Sequence, residues 1–225
     1  MKPTISVVIP SYNNADYLGD ALDSVGRQVL PANEIIVIDD GSTDETAVVA
    51  SAFDVIYLRQ ENAGAAAARN RGVAAAQGEF IVFLDADDLW LPEKLTLQTN
   101  AFVEEPQLDM VFGHVVYFIS PELSLAQREE IYCPPDPVPG YLPSAMMVRR
   151  CSWDRVGELE TQWQVGEFIH WYFLAQEQGL TSHMLPNVVT RRRIHRTNQG
   201  IVKREARSDY LQILKARLDR KRRQR

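Results

Sequence analysis

Cysteine is nearly absent from this chain. Its 225 residues include only Cys133 and Cys151, with no Cys-x-x-Cys pair and no Cys/His set at ligand spacing. A disulfide framework and a zinc site are therefore not indicated, and a reducing cytoplasm fits. Long apolar runs are missing as well. The longest, Met110 to Ile119, is interrupted by Gly113 and His114 and is too short to cross a bilayer, and the N-terminus has no basic segment leading into an apolar stretch. A cytoplasmic protein is expected, at most peripheral to the inner face of the membrane. The turn after the first strand-like segment reads Pro10-Ser11-Tyr12-Asn13. It lacks G-x-G-x-x-G, which excludes a dinucleotide oxidoreductase, and it is not the glycine-rich basic loop that a sugar nucleotidyltransferase would need. There is no internal repeat and no low-complexity linker.

The remaining composition is that of a globular chain, 45% hydrophobic and able to bury one sizeable core. A net charge of −6 hides an asymmetry: residues 191–225 carry 14 Lys/Arg against three acids, net +11, leaving 10 basic and 27 acidic residues, net −17, in 1–190. The C-terminal end is thus a separate electrostatic object. Over 199–223 the pattern predicts an amphipathic helix with Ile201, Tyr210, Leu211, Leu214 and Leu218 along one side. Packing of that side on the acidic body is preferred over docking on a negative membrane surface. Nucleic-acid binding is disfavoured by the acidic body and by the lack of any recognised motif.

Strand and helix patterns alternate from the start. Strands are expected at 5–9, 34–38, 54–58 and 79–84. Between them fall a helix capped by Asn13 or Asn14, a helix opened by a capping box at Ser42-Thr43-Asp44-Glu45, and an alanine-rich helix over 64–77. Four strands with three intervening helices imply a parallel, doubly wound sheet. A helix over 92–104 closes a first half, 1–104. The second half, 105–198, is less regular: a strand at 109–119, a proline-rich loop over 120–143, a short strand at 145–148, a helix at 166–178 and a strand at 185–194. Residues 199–225 form the basic helix or tail.

The densest chemistry is where Phe80-Ile81-Val82-Phe83-Leu84 runs into Asp85-Ala86-Asp87-Asp88. Crowded carboxylates at the end of a buried strand repel one another unless a cation joins them. A hard divalent ion such as Mg²⁺ or Mn²⁺ takes carboxylate oxygens and keeps positions open for phosphate. The alternative is that Asp85 or Asp87 caps the helix that Pro92 begins. In a parallel sheet the other strand ends share this edge, which brings Pro10, Tyr12, Asp40, Asn62 and Gly64 to the same place. Tyr12 offers a face for a flat base, Asp40 an acceptor for a ring N–H, and Arg69 a charge for phosphate. Each also has an ordinary structural reading, as a packing residue, a turn residue and a solvated helix position.

These segments resemble family 2 glycosyltransferases of the GT-A fold. The similarity lies in Ser6-Val7-Val8-Ile9-Pro10-Ser11-Tyr12-Asn13, Val37-Ile38-Asp39-Asp40-Gly41-Ser42-Thr43-Asp44, Asn62-Ala63-Gly64 with Ala68-Arg69-Asn70-Arg71-Gly72, and Phe83-Leu84-Asp85-Ala86-Asp87-Asp88. The resemblance implies an α/β GT-A fold, with a Rossmann-like, mostly parallel sheet and an acceptor-binding second half. It implies a metal-assisted, inverting transfer of a sugar from a nucleotide sugar, usually a UDP-sugar, to an acceptor hydroxyl on a saccharide or a lipid-linked molecule. It assigns Tyr12 and Asp40 to the base, Asp85 to the ribose and the metal's water shell, and Asp87 to the metal. The family's catalytic carboxylate is commonly part of a Glu-Asp pair. Here Glu167 aligns with that pair and Phe168 replaces the Asp, which makes Glu167 the expected general base. Arg193-Ile194-His195 resembles a strand-terminal segment whose histidine approaches the metal. The half-missing pair also leaves open a catalytically weakened nucleotide-sugar-binding or scaffold protein.

Overall fold

The computed structural model describes residues 3–196, 198, 206 and 208–223. The first four strands are β1 (Ile5–Ser11), β2 (Glu34–Asp39), β3 (Ile56–Arg59) and β4 (Phe80–Phe83). All three of their pairings are parallel, in the spatial order β3-β2-β1-β4. Their crossovers are α1 (Ala15–Gly26), α2 (Thr46–Ser51) and α3 (Ala65–Ala75). The doubly wound reading of the N-terminal half is therefore correct. Both faces of the sheet are covered, which explains why the strands read as nearly continuous apolar runs. Val7, Ile9, Val37 and Val82 pack toward α1 and α2, while Val8, Ile36, Ile38 and Ile81 pack toward α3.

Beyond β4 the sheet continues with mixed direction. A two-residue strand β5 (Leu89–Trp90) precedes α4 (Lys94–Glu104), followed by β6 (Met110–Ile119), β8 (Met146–Arg149) and the long β9 (Ser182–Ile194). The order runs on as β8-β6-β9-β5, with β8 antiparallel to β4 and to β6, and β9 parallel to β6 and antiparallel to β5. The loop expected over 120–143 contains two elements: α5 (Leu125–Glu129), opened by a Ser124/Gln127 capping box, and β7 (Val138–Pro139) against β6. Among the described residues three further helices follow, α6 (Arg150–Val156), α7 (Glu167–Glu177) and α8 (Ser208–Arg223). Among the described residues no helix is long and apolar enough to cross a membrane.

Two predicted caps do not form. Neither Asn13 nor Asn14 caps α1 with its side chain, and the first helical amide, Ala15 N, donates to Asp44 Oδ2 at 2.9 Å. The Ser42 hydroxyl accepts from Asn13 N at 2.9 Å instead of capping α2. Both polar groups are spent tying the first two strand-end loops together. The C-terminal helix also differs from expectation. Its buried residue is Ile213, whereas Leu211, Leu214 and Leu218 are exposed; Ile201 lies outside the described residues.

One core group carries a pH signature. Lys94, at the start of α4, is fully buried and donates to Gln98 Oε1 at 2.6 Å; Gln98 in turn donates to the carbonyls of Val111 and Ala145. Burial pushes the Lys94 amine well below the usual lysine value. Folding therefore releases a proton that the unfolded chain keeps, so stability rises with pH between the folded and unfolded values. Relative to Lys94→Met, the unfolding free energy of the wild type should climb as pH rises toward the unfolded lysine value of about 10, by up to about 1.4 kcal/mol per unit. Urea-unfolding curves of the two proteins across that range measure the difference, and parallel pH dependences would show that Lys94 is charged in the fold.

Candidate active site

The C-terminal edge of the parallel strands is where the polar side chains meet. Glycine permits the close packing behind it: a Cβ at Gly72 would fall 2.2 Å from Val8 Cγ1, so α3 lies against β1 and β2 only without a side chain there. This seats Arg69 of α3, which is 5% exposed, between two carboxylates. Its Nη2 donates to Asp85 Oδ1 at 2.6 Å and its Nη1 to Glu167 Oε1 at 2.8 Å. Burial works against the charges in this triad. For Asp85, the Arg69 charge and its hydrogen bond outweigh burial and hold the carboxyl below its usual value; for Arg69, Asp85 and then Glu167 do the same in the opposite sense. Arrangements of this kind are costly to break, about 3–5 kcal/mol when one partner is removed, because a buried charge is left unpaired. Arg69 is thus not a solvated helix position.

Asp87 turns the other way. Its Oδ2 meets His195 Nε2 at 2.8 Å and Asn198 Nδ2 at 3.1 Å. His195 is 3% exposed, and its ring packs on Tyr17 with 4.6 Å between centroids. Neither Asp85 nor Asp87 caps a helix, since β5 intervenes and α4 has no side-chain cap. Asp88 is buried, and burial, then Asp87 and Asp85, push its carboxyl well above the usual range. Two residues of β9 offset this: Arg192, whose guanidinium is kept charged against its burial by Asp88, and Arg193, whose backbone N–H donates to Asp88 Oδ1, whose Nε donates to the Asp87 carbonyl and whose charge pairs with Asp20 at 2.8 Å. Sequence reasoning took His195 from this segment but missed Arg192 and Asn198. The signal available was the run Arg191-Arg192-Arg193 leading into the strand end.

The base-side residues are arranged differently from one another. Tyr12 is 48% exposed just past β1, and Pro10 lies within β1 opposite Ile38. Asp40 is buried and accepts three bonds, from Gln60 Nε2, Ala63 N and Gly64 N at 2.8–2.9 Å. Its first task is to hold the turn at Gly64, whose φ of 90° suits glycine. Asn62 lies between two clefts. One, of about 340 Å³, is walled by the start of α3 at Gly64 and by Thr161, Trp163 and Glu167; the other, of about 550 Å³, is walled by Gly41, Arg59 and Glu61. Each falls within the volume range of small-molecule sites.

Among the described residues no group of three or more His, Cys, Asp or Glu is arranged to hold a metal ion on its own. The residues present nonetheless fit a hard cation that shares its shell with a ligand. Mg²⁺-type sites commonly take one or two protein groups and fill the rest with water and phosphate oxygens. Asp87 and His195 supply such a carboxylate and imidazole pair.

Comparison with known proteins agrees with this architecture. TarS of S. aureus, solved in complex with UDP and with UDP-GlcNAc, matches with TM-scores of 0.66 and 0.68 at 21% and 20% identity, covering 86% and 87% of this chain and 61% and 60% of TarS 1-349. At that identity the likeness establishes the shared GT-A fold. TuaG of Bacillus subtilis is 43% identical over 110 residues, 46% of this chain and 43% of TuaG. Glycosyltransferase GlyG of Streptococcus pneumoniae is 38% identical over 120 residues, 51% of this chain and 40% of GlyG. The chain therefore matches less than half the length of either of these curated relatives. The model for "Glycosyl transferase family 2" matches residues 6–161, from the first strand through the Asp cluster into the segment that walls the smaller cleft, and the chain belongs to that family.

Proposed function

We propose that this chain transfers a sugar from a UDP-sugar to an acceptor hydroxyl with inversion, assisted by Mg²⁺ or Mn²⁺. The observation that carries the proposal is the meeting of Asp85, Asp87, Glu167, Arg69 and His195 at one sheet edge beside a cleft, in a family 2 chain. Family membership supports glycosyl transfer, and the UDP and UDP-GlcNAc complexes of TarS support the choice of nucleotide.

Asp87 and His195 would hold the cation, with Asp85 reaching the ribose and the ion's water shell from its Arg69 anchor. When bound, the cation neutralises charge on the departing diphosphate. The chain's own residues do the rest. Tyr12 presents a ring for the base, and Asp40 has one remaining lone-pair position for the uracil N3–H. Glu167, on the wall of the smaller cleft, is positioned to take the acceptor proton while Arg69 orients it. The acceptor, a saccharide or lipid-linked hydroxyl, enters from the side formed by 161–167.

The competing reading is a nucleotide-sugar-binding or scaffold protein, favoured by Phe168, which is buried against Trp171 and Tyr172 instead of supplying the family's second carboxylate. A thermal-shift screen of nucleotide sugars with Mn²⁺, followed by turnover of the best labelled donor, separates them. Stabilisation with transfer or slow hydrolysis is expected, and UDP should displace the donor better than CDP, because cytosine N3 has no hydrogen to give Asp40. Binding with no turnover would leave the scaffold reading, and equal displacement by CDP would remove Asp40 from base recognition.

A further inference from the structure

The C-terminal helix α8 has two working faces, and only one of them is used by the fold. On the inner face Ile213 is fully buried, and Asp209 Oδ2 accepts from Gln164 N at 2.9 Å and Val165 N at 3.3 Å. Arg217 donates to Gln176 at 2.8 Å and Arg220 to Glu177 at 2.6 Å. These contacts fasten α8 to α7 and fix its rotation. The face so turned outward carries Leu211, Leu214 and Leu218, which are 70%, 47% and 57% exposed. At helical spacing these three form one continuous stripe. Lys215 and Arg222 border it on one side and Lys221 on the other, all exposed. Arg222 lies 3.9 Å from Asp219.

We propose that this face docks on an anionic lipid surface. An apolar stripe edged by basic side chains matches a surface that is apolar at depth and negative at its headgroups, because lysine and arginine stems can lie along the apolar layer and lift their charges to the headgroups. Other occupants fit less well. A second copy using the same face across a two-fold axis would oppose Lys215, Lys221 and Arg222 to their own kind. The acidic body of a second copy would answer the basic border by charge, and sedimentation velocity tests for it. Docking does not depend on the proposed transferase activity. If that activity holds, docking has a consequence for it: α8 contacts Gly166, where a Cβ would lie 2.9 Å from Tyr210 and 3.0 Å from Ile213, and the next residue is Glu167. The cleft would then be held beside the surface from which a lipid-linked hydroxyl comes.

The test is sedimentation of the full chain, without donor, with phosphatidylcholine vesicles that contain or lack phosphatidylglycerol. Binding to the phosphatidylglycerol vesicles is expected, weakening with salt. Each basic residue near such a surface is worth about fivefold in partitioning, so Lys215→Glu/Lys221→Glu should weaken binding by about tenfold or more. Leu211→Ser/Leu214→Ser/Leu218→Ser should weaken it as strongly, while the Mn²⁺-dependent thermal shift with UDP stays in place in both variants. Neither variant touches an inward contact of α8. No binding of the wild type at low salt overturns the proposal. So does a leucine variant that binds like the wild type, since charge alone would then account for the effect. Self-association of the wild type in sedimentation velocity that the leucine variant abolishes would overturn it in favour of a second copy.

Discussion

Asp87→Ala should abolish the divalent-cation dependence of UDP binding. In the structure Asp87 Oδ2 is engaged by His195 and Asn198, while Asp85 is committed to Arg69. Of the carboxylates in the cluster, Asp87 is therefore the one paired with an imidazole rather than with a guanidinium. A divalent cation can balance its charge. Asp85 gives its Oδ1 to Arg69, and Asp88 points its Oδ1 at the Arg193 backbone. Calorimetric titration of UDP with and without Mn²⁺ measures the effect. In the wild type the affinity should rise by about 10- to 100-fold with Mn²⁺, the size of the loss typical when a metal site is disturbed. In Asp87→Ala the two titrations should coincide at the weaker value. A wild type whose affinity is indifferent to Mn²⁺ would sink the metal assignment, and a variant that keeps the full increment would move it to another residue.

The fold and the place of the site are legible in the sequence because both depend on short-range pattern. Four apolar runs with helical crossovers permit few topologies, and a parallel sheet brings the ends of all its strands to one edge. Strand-end position alone is enough to group Tyr12, Asp40, Gly64 and Asp87. Pairings across long separations are not legible. Ser42 and Glu45 have capping-box spacing, yet the Ser42 hydroxyl accepts from Asn13 N, 29 positions away, and the neighbouring Asp44 accepts from Ala15 N, also 29 away, because the two loops meet in space. Asp40 looks like a free acceptor in the sequence and spends three bonds on its neighbouring turn. In α8 the periodicity identifies an apolar stripe correctly and assigns it to the wrong partner. Ile213, one residue outside that stripe, is the position the body takes, since Asp209, Arg217 and Arg220 find acceptors and donors on its side.

The half-missing carboxylate pair makes Glu167 the residue on which the proposed chemistry turns. Phe168 is 5% exposed and packs at 6.2 Å from Trp171, so the position of the missing acid is filled by a core aromatic. Glu167 is at the first turn of α7, on the cleft wall, with Oε1 bound to Arg69. As general base it must carry the acceptor proton away as the glycosidic bond to the diphosphate breaks. Glu167→Gln keeps the size and an oxygen acceptor for Arg69 but removes the basic carboxylate. Turnover should fall by roughly 10²–10⁴-fold while the affinity for UDP changes little. A second readout separates catalysis from support. If Glu167 only steadies Arg69, then Gln should move the thermal midpoint and the donor affinity together and leave the pH profile of turnover unchanged. If it is the base, the acidic limb of that profile should vanish with the midpoint nearly fixed. Full transferase activity in Glu167→Gln would pass the role to the acids of the neighbouring 158–160 segment, where Glu160 lies 3.6 Å from the buried His170 ring.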